Sequence, residues 1–98
     1  MKLFDSPQMR ETIRRLIRSQ MAAKGMEYRD LANRLAELGV VQSESNLRSK
    51  VNNGSLGAQL FLYIQLALGV RSLGMDQVRE ILEDVSAERE DSSSAGDL

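Results

Sequence analysis

Ser45, Asn46, Arg48, Ser49 and Asn52 fall within one short stretch of this 98-residue chain, and their types and spacing suit hydrogen bonding better than bond breaking. At about 100° per residue, a helix over Ser43 to Asn53 points Leu47 and Val51 to one side and Ser45, Ser49 and Asn52 to the other. Asn46 and Asn53 then lie on one shoulder, Arg48 lies on the other, and Lys50 sits nearer the core edge. Short amides and hydroxyls flanked by cations match the edges of bases in a major groove, where Asn pairs with adenine and Arg with guanine. A plain solvated helix face is polar too. The near absence of carboxylates after Glu44 favours base edges, because a carboxylate there would repel phosphate. Glu44 itself could cap the helix or accept from cytosine N4.

Cations that could hold phosphates surround this stretch. Arg10, Arg14 and Arg18 form an i, i+4 row joined by Arg15, and Tyr28, Arg29 and Lys50 follow. Such a row can lie along a phosphate backbone or simply be solvated. Tyr28 is read either as a phosphate contact or as a ring stapling the start of its helix. The net charge of −1 hides an asymmetry: Met1 to Arg71 carries 11 Lys or Arg against 6 Asp or Glu, and Ser72 to Leu98 carries 2 against 8. A basic body with an acidic tail permits a nucleic-acid partner despite a near-neutral total.

Other chemistries are excluded by composition. The chain has no Cys and no His, so thiolate or imidazole metal sites, disulfides and Ser-His-Asp triads are ruled out. The carboxylates lie mostly in the tail with no pocket-forming motif beside them, so the chain is read as no enzyme, with no metal and no cofactor. No apolar run approaches a membrane span and the N-terminus lacks a secretory core, so a cytoplasmic, nucleoid-associated location is expected.

The elements that must position these residues are helices. Ser6-Pro7 is a strong start, and Gly25 stops a first helix near Lys24 with Met9, Ile13, Leu16, Ile17 and Met21 inward. Met26 and Glu27 open a second, with Leu31, Leu35 and Leu38 on one face and Gly39 as stop. After a tight connection, Ser43 caps the third, which ends at Asn52-Asn53-Gly54. AQLFLYIQLALGV is apolar nearly all round: Leu60, Phe61, Ile64, Ala67 and Leu68 form one stripe, and Leu62, Tyr63 and Leu66 another. The first stripe reads as core of a central helix and the second as a dimer surface. Val78, Ile81, Leu82 and Val85 make a last amphipathic helix, about Gln77 to Glu88, which closes the core or pairs with its copy.

Through Leu31-Ala32, Ser43 to Gly54 and Ile64 to Val70, the chain resembles the Cro/CI-type (XRE-like) helix-turn-helix regulators over about Arg10 to Val70. More narrowly, YRDLANRLAELGV, NLRSKVNNG and LFLYIQLALGV look like a small uncharacterised bacterial domain family. Gly39 follows Ala32 by seven positions, against four in the wider family, so the first motif helix is expected to be longer and the turn altered.

The residues themselves give an all-α, compact five-helix domain over 1–86 with a helix-turn-helix, and the acidic, Ser-rich stretch over 87–98, which has no apolar period, is expected to be a disordered tail. The resemblance implies a DNA-binding transcriptional regulator, usually a repressor and usually dimeric. Such a protein would act as a homodimer, or a heterodimer with a paralogue, on a palindromic operator in double-stranded DNA. Ser45, Asn46, Arg48, Ser49 and Asn52 would read bases; Arg10, Arg14, Arg18, Tyr28, Arg29 and Lys50 would hold phosphates. Leu62, Tyr63, Leu66, Val78, Leu82 and Val85 would form the dimer interface. The alternative is a helical protein-interaction module, antitoxin-like or an anti-regulator, without DNA binding of its own.

Overall fold

A computed structural model describes the backbone of residues 4–96 and the side chains of residues 4–90. Five helices, α1 (Pro7–Lys24), α2 (Tyr28–Glu37), α3 (Glu44–Asn53), α4 (Ala58–Ala67) and α5 (Met75–Gly96), account for all regular structure among the described residues. Local chemistry sets most of their ends. Ser6 Oγ accepts from the Met9 amide at 3.1 Å, with Pro7 at the first helical position. Ser43 Oγ accepts from the Asn46 amide at 3.1 Å. At α2 the Asp30 carboxylate accepts from the Glu27 amide at 2.9 Å, one half of a capping box.

The helices neighbour one another in the order α5, α1, α3, α2, α4. Ile17 and Met21 of α1, Leu31 and Leu35 of α2, Leu47 and Val51 of α3, and Ile64, Ala67 and Leu68 from α4 and its end form one core. A reciprocal amide pair closes the circle between α1 and α4. Gln20 Nε2 donates to Gln65 Oε1, and Gln65 Nε2 donates back to Gln20 Oε1, both at 2.8 Å. Gln65 is buried, so the pair satisfies polar groups that would otherwise be costly inside.

Several sequence expectations need correction. Leu38 does not join the α2 stripe: it is 45% exposed, because the backbone leaves the helix there (φ −88°, ψ 5°) and its side chain falls out of register. The connection from Leu38 to Ser43 is longer than the turn of about three to four residues typical of a helix-turn-helix, in line with the altered glycine spacing. α4 is not the central helix: it lies beside α2 and meets α1 through the Gln20–Gln65 pair. It buries Ile64, Ala67 and Leu68 of its first stripe, half-buries Leu60 and Phe61, and leaves Leu62 60% and Leu66 63% exposed, with Tyr63 exposed between them.

The last helix closes on the chain itself. Val85 is 3% exposed, and Val78, Ile81 and Leu82 are half-buried where α5 lies on α1. Val85 is therefore unavailable to a dimer interface, and Val78 and Leu82 are largely spent inside the protomer. The backbone of α5 runs past the expected end near Glu88, through Gly96. The expectation of a structureless tail over 87–98 falls partly outside the described residues, which exclude the side chains of 91–98 and the backbone of 97–98.

Candidate nucleic-acid interface

The arrangement of α3 follows from its two faces. Leu47 and Val51, one turn apart, are fully buried and fix the helix against α1 and α2. Ser45, Asn46, Arg48, Ser49 and Asn52 are all exposed on the remaining surface, as their angles require. At its C-terminal end α3 is pressed directly against the α1 backbone. A Cβ placed on Gly54 would meet the Arg10 carbonyl oxygen, the carbonyl carbon at 2.6 Å and Cα at 2.7 Å. Gly54 also has φ +63°, so both the left-handed conformation and the close approach demand glycine there.

Arg48 is the most constrained of the exposed side chains. Its Nη2 donates to Glu44 Oε1 at 3.0 Å, one helical turn back. Its guanidinium carbon lies 5.4 Å from the centre of the Tyr28 ring, within cation–π range. Arg18 lines the same groove of about 450 Å³ with Glu27, Tyr28, Glu44 and Arg48. Two of the expected cations are thus together, but two carboxylates accompany them. Glu44 is Arg48's ion partner, a pairing that the i, i+4 spacing made legible.

Tyr28 takes the stapling role. Its ring packs against the core, and its hydroxyl is enclosed with no hydrogen-bond partner among the described residues. In this conformation the hydroxyl is not offered to a phosphate. What Tyr28 presents outward is a ring face that orients Arg48.

The remaining cations divide into two groups. Arg10 Nε donates to Asp5 Oδ1 at 3.0 Å, and Arg14 Nε donates to Glu11 Oε2 at 3.1 Å. Two of the three members of the expected row therefore already have counterions. Arg15, at the edge of that row, donates to Glu11 at 2.9 Å and to Glu88 of α5 at 2.6 Å. Arg18 and Arg29 are exposed and have no carboxylate within 4.0 Å among the described residues. Lys50 faces a different groove of about 560 Å³, where its Nζ donates to Gln42 Oε1 at 3.2 Å beside Val40 and Tyr63. Arg10, Arg14 and Arg18 keep their row along α1, Arg29 lies on α2 and Lys50 on α3, so the phosphate candidates are spread over three helices.

Three carboxylate and guanidinium groups are perturbed. Burial would raise the Glu11 carboxyl, but hydrogen bonds from Arg15 and Arg14 outweigh it and hold the group below its ordinary range. A hydrogen bond from Arg15 likewise holds Glu88 low. The same bonds, from Glu88 first and Glu11 second, raise Arg15 above its ordinary value. Among the described residues no group of carboxylates is arranged to hold a metal ion, and no helix is long and apolar enough to cross a membrane.

No curated protein and no solved structure matched the chain. Residues 9–73 match a family described as a domain of unknown function (DUF6471), a span that takes in α1 to α4, including the buried face of α3 and Gly54, and stops short of α5. With more than half of its length inside that match, the chain belongs to the DUF6471 family.

Proposed function

We propose that the chain is a sequence-specific DNA-binding protein in which α2 and α3 act as a helix-turn-helix and α3 lies in the major groove. The observation that carries this reading is the division of α3. Five hydrogen-bonding side chains are exposed on a helix whose other face is fully buried and whose end is seated on the α1 backbone. A rigidly held helix with short polar groups outward can report base identity, and Arg18, Arg29 and Lys50 around it supply sequence-independent affinity. Arg48 is held between Tyr28 and Glu44 and would read a guanine after exchanging Glu44 for the base edge. The protein would act as a cytoplasmic repressor, a dimer on a palindromic operator with half-sites about 34 Å apart. The α4 face of Leu62, Tyr63 and Leu66 would then be the contact between copies.

The test is a mobility-shift comparison of the wild type with Asn46→Ala/Ser49→Ala on selected and scrambled duplexes. The double variant should lose its preference while keeping salt-sensitive retention of both. An unchanged preference would show that α3 is not the reading helix.

The exposed Leu62 and Leu66 also favour a second reading, a protein-interaction module without DNA binding. Low heparin retention together with stable co-purification of a different protein would select it.

A further inference from the structure

The family match ends at residue 73, and α5 begins at Met75. The added helix lies on α1 alone of the four family helices. Between Asp76 and Glu90 it carries six carboxylates against two arginines. One of those carboxylates is engaged in a specific way. Arg15 Nη2 donates to Glu88 Oε2 at 2.6 Å, and Arg15 Nη1 donates to Glu88 Oε1 at 3.3 Å. Two guanidinium nitrogens on two oxygens of one anion is the fork by which arginine also takes a phosphate.

This pair ends a row of alternating charges on the outer face of α1. Glu11 accepts from Arg14 at 3.1 Å and from Arg15 at 2.9 Å, and Arg15 then reaches Glu88. The Glu88 side chain is 59% exposed, so water and ions compete for the contact and it is exchangeable. The row also adjoins the reading helix. Asn52 and Asn53 share a groove of about 370 Å³ with Arg10, Glu11, Glu88 and Arg89. A duplex lying on α3 would bring its backbone toward the place where Glu88 now sits.

We propose that Arg15 is a further phosphate-binding residue of the α3 interface and that Glu88 is its built-in competitor, which makes α5 an anionic shield over this edge of the interface. The proposal rests on the DNA-binding reading above. Backbone phosphate replaces Glu88 on Arg15, and the shield costs affinity most at low salt, where opposed charges are least screened. It therefore lowers non-specific retention more than it lowers binding at a site where α3 also contacts bases.

The test uses full-length chains on random-sequence duplex DNA across a salt series. Glu88→Gln removes the competing charge from Arg15, which keeps its Glu11 contact, without changing side-chain size. It should tighten binding roughly three- to fivefold at low salt, the scale of one exposed ion pair, and steepen the log–log salt slope by about 0.9, the value for one more phosphate contact. Glu80→Gln, an equal charge change at an exposed α5 residue with no cation within 4.0 Å among the described residues, should have a smaller effect. Arg15→Gln/Glu88→Gln should lose the gain. Equal tightening by Glu80→Gln and Glu88→Gln, or a gain that survives loss of Arg15, would reduce α5 to general charge and overturn the proposal. If the wild type binds and Glu88→Gln binds identically, this proposal alone fails. If no variant is retained on DNA at any salt, the DNA-binding reading fails with it.

Discussion

Replacing Gly54 with alanine tests how α3 is held. Two penalties apply there and can be separated. The first is conformational: at φ +63° an L-residue pays about 1 kcal/mol. The second is steric. The added methyl would sit 2.6 Å from the Arg10 carbonyl carbon and 2.7 Å from its Cα, and these are backbone atoms within α1 that cannot rotate away. Forcing α1 and α3 apart at a packed contact costs typically 1–3 kcal/mol, on the order of other overpacked cores. Gly25 isolates the second term. It has nearly the same backbone, φ +65°, but nothing lies within 4 Å of a Cβ placed on it. Gly25→Ala carries the conformational penalty alone, and the entropy that alanine removes from the unfolded chain is common to both variants. Urea unfolding followed by circular dichroism should place Gly54→Ala about 1–3 kcal/mol below Gly25→Ala, from the steric term alone. For a domain of this size that is a further fall in Tm of about 4–8 °C per kcal/mol. Equal losses in the two variants would refute the close approach of α3 to α1, and with it a fixed orientation of the exposed α3 face.

Other outcomes follow from groups around the same core. Tyr28→Phe removes an enclosed hydroxyl that has no partner, so it should raise the urea midpoint by the equivalent of up to about 1 kcal/mol; a comparable loss would show that the hydroxyl is hydrogen-bonded. Gln65→Leu should cost about 1–3 kcal/mol by orphaning the Gln20 amide, and Gln20→Leu/Gln65→Leu should recover part of it in a double-mutant cycle. Additive losses would mean that the two amides act independently. Glu11 is held below its ordinary pKa, so its pairing stabilises the fold above the unfolded carboxylate range and that contribution is lost as pH falls through the lowered value. Glu11→Gln should therefore show a smaller drop in stability than the wild type between pH 6 and pH 3, by about 0.5–1 kcal/mol for a partly exposed pair; identical pH profiles would contradict the pairing.

The ends and faces of the helices were legible because their causes are local. Ser6-Pro7 and Ser43 cap within three residues, and Leu47 with Val51 marks the inward side of α3 by periodicity alone. What could not be read depends on residues far apart in the chain. Gly54 is recognisable as a helix stop, but that Arg10 lies against it is a fact of how two helices cross. Val85 and Leu66 both sit on apolar stripes, and only the placing of the other helices decides that the first is buried and the second exposed. Gln65 stands in an apolar helix with no sign of its partner 45 positions earlier. The arginine row was visible, and the pairing of Glu11 with Arg14 and Arg15, like that of Glu44 with Arg48, was readable from i, i+3 and i, i+4 spacing, whereas the pairing of Arg15 with Glu88 was not. The end of α5 differed for another reason: a polar, acidic stretch lacks the apolar period from which a helix is read, although charged side chains do not forbid the helical backbone.

The most direct examination of the exposed α3 face is to sequence the DNA that co-precipitates with the tagged protein at two salt concentrations. One recurrent palindromic sequence is expected to persist at the higher salt, with half-sites about one helical turn apart, and to disappear in Asn46→Ala/Ser49→Ala. Recovery of DNA with no shared sequence, or of none at either salt, would contradict base reading by α3.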